Sequence, residues 1–193
     1  MFSGIVTGQG TLTNIKVSSQ KIRLTVKHHG LGRGVNIGDS VAINGCCLTV
    51  VRHHHQAFEF DVLGETWKRT SLSRIQPPER VNLECSLKFG DPIGGHFVTG
   101  HIDGVGQIIL WQKEKKNIFI KIRPVNTIMR WILQKGSVAV DGISLTIATV
   151  SSTSFGVCLT PYTCKITTLG WKRKGDFVNL EADMIVKCIL GKK

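Results

Sequence analysis

Ser40-Val41-Ala42-Ile43-Asn44-Gly45-Cys46-Cys47-Leu48-Thr49-Val50 is answered by Ser137-Val138-Ala139-Val140-Asp141-Gly142-Ile143-Ser144-Leu145-Thr146-Ile147, 97 positions later (137 − 40). The offset holds without a gap outward from this stretch. Phe58 meets Phe155, Thr66 meets Thr163, Lys68 meets Lys165, Thr70 meets Thr167 and Leu72 meets Leu169. Val81-Asn82-Leu83-Glu84 then meets Val178-Asn179-Leu180-Glu181. Toward the N-terminus Gly4, Gly8 and Gly10 face Gly100, Gly104 and Gly106, with one residue of slippage. Self-similarity at a domain-sized period reads as two like domains rather than a solenoid. The expected division is 1–96 and 97–193.

Within each copy the apolar residues alternate with polar ones, the period of a half-buried strand. Leu12, Ile15 and Val17 lead into a turn at Ser18-Ser19-Gln20, and Ile22, Leu24 and Val26 return. A glycine-rich loop at 28–39 precedes strands Ser40–Asn44 and Leu48–Arg52, with a bend at Gly45. His53-His54-His55-Gln56 reads as the next turn, Ala57–Val62 as a strand, Thr66–Leu72 as a short helix and Val81–Glu84 as the last strand. The second copy replays the order. Phe97–Ile102 opens it, and Val105–Trp111 and Ile118–Arg123 form a hairpin turning at Lys113–Asn117. Pro124 stands where a helix can begin, carrying Ile128, Trp131 and Ile132 and stopping at Gly136. Phe155–Leu159, Thr163–Leu169 and Phe177–Glu181 follow, and 183–190 reads as a closing helix. Short strands with glycine bends suit a closed barrel, which leaves no exposed sheet edge. The expected fold is therefore all-β: two tandem six-stranded antiparallel barrels with short helices and a C-terminal helix.

No apolar run approaches the roughly 20 residues of a membrane span, and Met1-Phe2-Ser3-Gly4-Ile5-Val6 lacks the form of a signal peptide. A cytoplasmic protein is expected. The six cysteines, at 46, 47, 85, 158, 164 and 188, do not repeat in register, so reduced and mostly buried thiols are the simpler reading. The net charge of +12 raises nucleic acid as a partner. Its clusters are short, though (Lys113–Lys116, Lys172-Arg173-Lys174, Lys192-Lys193), and the aromatics that would stack bases are scattered. No nucleic-acid or membrane partner is expected. His53–His55 has no counterpart in the second copy and reads as a solvated tip rather than a metal site. His96 and His101, five residues apart on an extended segment, point to opposite faces, so one of them is a candidate ligand contact.

The opening Met1–Val6, Asn44-Gly45-Cys46-Cys47-Leu48-Thr49-Val50, Gly94-Gly95-His96-Phe97-Val98-Thr99-Gly100-His101-Ile102-Asp103-Gly104 and Asp141-Gly142-Ile143-Ser144-Leu145-Thr146 together resemble the riboflavin synthase (alpha chain) family over essentially the whole chain. The resemblance implies a transferase that dismutates two molecules of 6,7-dimethyl-8-ribityllumazine by four-carbon transfer. The products are riboflavin and 5-amino-6-(ribitylamino)uracil, with no metal and no cofactor. It implies a cytoplasmic homotrimer whose C-terminal helix aids assembly, and lumazine synthase as a candidate partner.

Carried over residue by residue, one pocket uses Gly4, Ile5 and Val6, then Cys47, Leu48 and Thr49, then Asp61, Val62, Leu63, Gly64, Glu65 and Thr66. The other uses Gly100, His101 and Ile102 with Lys135, then Ser144, Leu145 and Thr146, then Leu159, Thr160, Pro161, Tyr162, Thr163 and Cys164. Cys47, His101, Ser144, Thr146, Ser40 and Asp183 are the candidates for proton removal and nucleophilic addition. Thr160, Tyr162 and Gly64 depart from the family's common residues. The alternative on the same fold is a non-catalytic lumazine- or flavin-binding protein, against which the retention of Cys47, Ser144, Thr146 and His101 speaks.

Overall fold

Asn44-Gly45 and Asp141-Gly142 are two-residue hairpin turns with positive φ at both positions, 45° and 78° in the first and 46° and 78° in the second. That geometry matches the twist of the strands it joins, and it wants Asn or Asp followed by Gly. The duplicated stretch is thus a hairpin, and the two hairpins touch tip to tip. A Cβ on Gly45 would lie 2.5 Å from the Gly142 amide nitrogen, and one on Gly142 would lie 2.7 Å from that of Gly45. Only glycine permits this approach.

The computed structural model describes all residues except Ser19, Gln20, His29, Gly32, Arg33, Asn126, Lys192 and Lys193. Strands β1 (Gly8–Val17), β2 (Ile22–His28), β3 (Ser40–Ile43), β4 (Cys46–His54), β5 (Ala57–Val62) and β6 (Glu79–Cys85) close a barrel in the order β1-β2-β5-β4-β3-β6. Strands β7 (Gly104–Glu114), β8 (Asn117–Pro124), β9 (Ser137–Val140), β10 (Ile143–Val150), β11 (Phe155–Leu159) and β12 (Phe177–Ala182) close a second barrel with the same order, β7-β8-β11-β10-β9-β12. Bulges recur at matching places, between Leu12 and Asn14 and between Val50 and Arg52, then between Ile108 and Leu110 and between Ile147 and Thr149. They bend the strands enough to close the ring. Alternate side chains fill each interior: Leu12, Leu24, Val50, Phe58 and Phe60 in one, and Ile108, Ile120, Ile147, Phe155 and Val157 in the other.

The barrels are joined by reciprocal hydrogen bonds. Asn82 Nδ2 donates to the Asp141 carbonyl at 2.9 Å, and Asn179 Nδ2 donates to the Asn44 carbonyl at 2.8 Å. The Ser71 amide donates to Asn179 Oδ1, and the Thr168 amide to Asn82 Oδ1. Arg74 over Phe177 and Arg80 over Trp171, at 4.1 and 4.8 Å, extend the joint outward. Three short helices cap the ends: α1 (Gly64–Arg69), α2 (Pro161–Ile166) and α3 (Met184–Leu190). None of the described helices is long and apolar enough to cross a membrane.

Four expectations change. His53 and His54 belong to β4, because His53 pairs across to Phe58 with its ring 4.8 Å away, and the turn shrinks to His55-Gln56. Pro124 ends β8 instead of opening a helix. The Val125 amide continues the pairing to the Val105 carbonyl, which leaves room only for a 3-10 turn at Thr127–Trp131. The segment at 97–102 makes a single bridge, Phe2 to Val98, and is otherwise irregular. The six cysteines are free, but only Cys46 is buried; Cys158 and Cys188 are exposed. Ser19-Gln20 of the first turn, part of the 28–39 loop and Lys192-Lys193 lie outside the described residues.

Candidate active site

Each half begins with an arm, residues 2–6 and 97–102. The arms run antiparallel where Phe2 and Val98 exchange backbone hydrogen bonds of 2.7 and 3.1 Å. Each is held by the last strand of its own barrel. Glu84 on β6 accepts from the Ser3 amide and hydroxyl at 2.7 and 2.8 Å. Glu181 on β12 accepts from the Thr99 amide and hydroxyl at 2.7 Å each, and from the Gly100 amide at 2.9 Å. Burial raises both carboxyls above the usual range, while the bonds from the arms oppose the rise.

Beyond these anchors each arm crosses to the other barrel. The Cys47 amide donates to the Gly100 carbonyl at 2.9 Å, and the Ser144 amide donates to the Gly4 carbonyl at 2.8 Å. Val6 is buried in the second core, and Ile102 packs against the first. Gly4 and Gly100, at φ of 75° and 81°, lie flat on these strands. A Cβ would come within 2.7 Å of the Ser144 Cβ in one case and 2.5 Å of the Cys47 Cβ in the other. This crossing corrects the expected pocket composition. Gly4, Ile5 and Val6 go with Ser144, and Gly100, His101 and Ile102 go with Cys47.

The first of these places is an open cleft of about 220 Å³. Cys46 and Cys47 form its floor, Leu63, Glu65, Thr66 and Arg69 one wall, and Gly100, His101 and Ile102 the other. Cys47 and Thr49 point outward from β4 while Leu48 points into the core, so the site lies on the barrel's outside. The second place is built likewise on β10, with Ser144 and Thr146 outward and Leu145 inward. There the segment before the second arm also bears on it. Gly95 leaves room for Ser144, since a Cβ on it would be 2.8 Å from Oγ, and His96 Nδ1 lies 2.7 Å from that oxygen. His96, one of the two histidines left open as a ligand contact, was not in the set carried over from the family resemblance, and the structure sets it on Ser144. The glycines around it, Gly94 and Gly95, were the signal that the chain runs close to something there. The expectation that His96 and His101 share a strand fails, but they do serve different places.

Several expected residues are engaged elsewhere. Val62 and Leu159 are wholly within the cores, as are Leu48, Leu145 and Val6, so only their backbones can meet a ligand. Asp61 is held by Arg23 at 2.7 and 2.9 Å, which lowers its carboxyl below the usual range. Glu65 pairs with Arg69 at 3.1 Å on the exposed face of α1, where Gly64 is the first residue. Thr160 caps α2, accepting from the Thr163 amide, with Pro161 in its first turn; Tyr162 is exposed and Cys164 packs on the second core. Asp183 caps α3 through the Ile185 amide. Lys135 is exposed, at φ 67° beside Ile147, and Ser40 pairs with Thr49 at the start of β3. No group of three or more metal-binding side chains occurs among the described residues.

A lumazine-binding-domain family model matches the chain twice, over residues 3–86 and 99–183. Riboflavin synthase of Actinobacillus pleuropneumoniae is 39% identical over 189 residues, 98% of this chain and 88% of the relative. That of Chlamydia muridarum is 41% identical over 187 residues, 97% and 92% of the two chains.

The chain belongs to the riboflavin synthase family.

Its relatives so named are enzymes, and the double barrel extends beyond them. The solved structure of LumP with 6,7-dimethyl-8-(1'-D-ribityl) lumazine superposes with a TM-score of 0.85 at 27% identity, covering 94% of this chain and 99% of LumP. LumP with riboflavin gives 0.87 at 28% over the same shares.

Proposed function

We propose that the protein is a riboflavin synthase. Two molecules of 6,7-dimethyl-8-ribityllumazine react, one passing a four-carbon unit to the other, to give riboflavin and 5-amino-6-(ribitylamino)uracil. The observation that carries this reading is the crossed pair of sites. One chain offers two related places, each made of one barrel's outward Cys-Leu-Thr or Ser-Leu-Thr strand and the other half's arm. Two related pockets suit a reaction between two copies of one substrate. Near-full-length identity of 39–41% to enzymes, against 27–28% to LumP, favours catalysis over storage.

Holding both reactants in register supplies much of the rate by orientation. The chemistry needs a proton taken from one 7-methyl group and a nucleophile added at C7 of the other ring. Cys47 and His101 lie at the first cleft, and Ser144 and Thr146 on the second. Gly4 and Gly100 stand on opposite sides of the Phe2–Val98 bridge. Two residues on either side, at about 3.3 Å each, separate the sites by roughly 13 Å along the arms. Two flat ligands on one chain are thus held apart, which agrees with what the family resemblance implies, and we propose that the first barrel of one copy meets the second barrel of another in a homotrimer. Lumazine synthase as a partner rests on the kinship alone.

The test is to incubate the purified protein with the lumazine alone and follow flavin fluorescence. Stoichiometric binding of lumazine with no accumulation of riboflavin would replace this reading with that of a carrier.

A further inference from the structure

His96 and Ser144 form the one hydrogen-bonded pair of an imidazole with an outward signature side chain among the described residues. The pair is one-sided, because Cys47, in the matching position, has no imidazole on its thiol. His96 is 9% exposed, and its other ring nitrogen, Nε2, is buried without a partner. Burial lowers its basicity, and the nearby charge of Asp183 opposes that fall only in part. A neutral imidazole carries its hydrogen on one nitrogen only. A hydrogen on Nε2 would leave a buried N–H without an acceptor, which native structures rarely tolerate. A bare Nε2 lone pair is the lesser cost. The hydrogen therefore belongs on Nδ1, where it faces Ser144 Oγ at 2.7 Å.

From this we infer that His96 is a positioning residue that donates through Nδ1 to Ser144 and so commits the serine hydroxyl hydrogen to the ligand. With its oxygen accepting from the imidazole, Ser144 presents a donor to an acceptor atom of the bound heterocycle, a ring nitrogen or carbonyl. This inference rests on the reading of the second place as a lumazine site. It assigns Ser144 a polarising role there and separates that site from the first by more than the exchange of thiol for hydroxyl.

Two measurements decide it. In the ¹⁵N-labelled full-length protein, Nδ1 of His96 is expected in the pyrrole-like range and Nε2 in the pyridine-like range, with Nδ1 shifting as riboflavin is added. Two nearly isosteric variants then separate donor from acceptor. His96→Asn can keep a donor toward Ser144 and is expected to retain riboflavin affinity within about twofold. His96→Asp offers only acceptors, draws the serine hydrogen to itself and is expected to weaken one of the two riboflavin sites about tenfold. A pyridine-like Nδ1, or equal affinities in the two variants, would overturn the inference whether or not flavin is formed. Failure of the unaltered protein to make flavin, with the predicted tautomer and a riboflavin-dependent Nδ1 shift, would instead sink the catalytic reading and leave this one in place.

Discussion

Asp141 and Asn44 occupy equivalent turns, and each accepts through Oδ1 from the amide of its partner asparagine, at 2.7 Å in both cases. Asp141 differs in being ionisable: it is fully buried, its Oδ2 has no partner, and desolvation pushes its carboxyl up to about 6. In the unfolded chain the same group titrates near 3.9. Between those values the folded protein keeps a proton that the unfolded one releases, so this group makes stability fall as pH rises from about 4 to about 6. Above that window the deficit is constant. Asp141→Asn is therefore expected to stabilise the protein at pH 7.5 by on the order of 3 kcal/mol and to change little at pH 4. Urea melts at the two pH values check it, and an equal gain at both would remove desolvation as the cause. Cys47→Ser tests the other asymmetric position. Thiol and hydroxyl are similar in size but differ in acidity and nucleophilicity, so single-turnover flavin formation is expected to slow about tenfold while riboflavin affinity stays within about twofold. Unchanged rates would leave Cys47 as pocket lining. The sequence made such residues visible because two copies could be compared position by position. It offered His96 as one of two candidate histidines but hid its partner, because the contact with Ser144 depends on where a connector lies in space.

The arms show where reading a chain by elements succeeds and where it stops. Strand periods, the two Asn/Asp-Gly bends and the closing helix were legible, because alternation and turn chemistry are local. Which barrel an arm serves is not local, and sequence proximity suggested the wrong partner: Gly4 lies in the half of Cys47 but rests on Ser144. A cut between residues 96 and 97 keeps each arm with the glutamate that anchors it and parts it from the signature that it covers. This layout predicts an effect across the barrels. Glu181 lies on β12 of the second barrel, yet through Thr99 and Gly100 it fixes the wall of the first cleft. Glu181→Gln sets an amide against the arm's donors, and it is expected to weaken riboflavin at one of the two sites about threefold to tenfold while both barrels stay folded. Calorimetric titration with circular dichroism as the control measures this. Two unchanged sites would mean that the arm is held by its backbone bridge and not by the carboxylate.

For the whole molecule the decisive feature is that the two proposed sites lie on outward faces of their barrels, with Cys47 and Ser144 turned away from the cores. The barrel joint is already satisfied by its reciprocal asparagine bonds, so the two halves of one chain have no evident way to rotate their sites together. In the proposed homotrimer another copy supplies the missing face, and the chain carries an apolar surface suited to that contact. On α3, Ile185, Ile189 and Leu190 are 49%, 77% and 48% exposed. Ile185 and Ile189 are four residues apart and so share one side of the helix. The helix is capped at its start by Asp183 and seated on the barrel through Lys187, which reaches Asp103 at 2.7 Å. Contact among copies would bury the isoleucines, each worth about 1.5–3 kcal/mol when taken fully out of water. Placing charge there, Ile185→Glu with Ile189→Glu, should therefore shift the protein from trimer toward monomer in sedimentation at micromolar concentration. Riboflavin binding at the first cleft should persist, because its lining residues all come from one chain. Flavin formation should collapse with the trimer and recover in part as protein concentration is raised, since mass action restores the assembly. A monomer that forms flavin at the full rate would show that two lumazines can meet on one chain after all, and the crossed arms would then need another explanation.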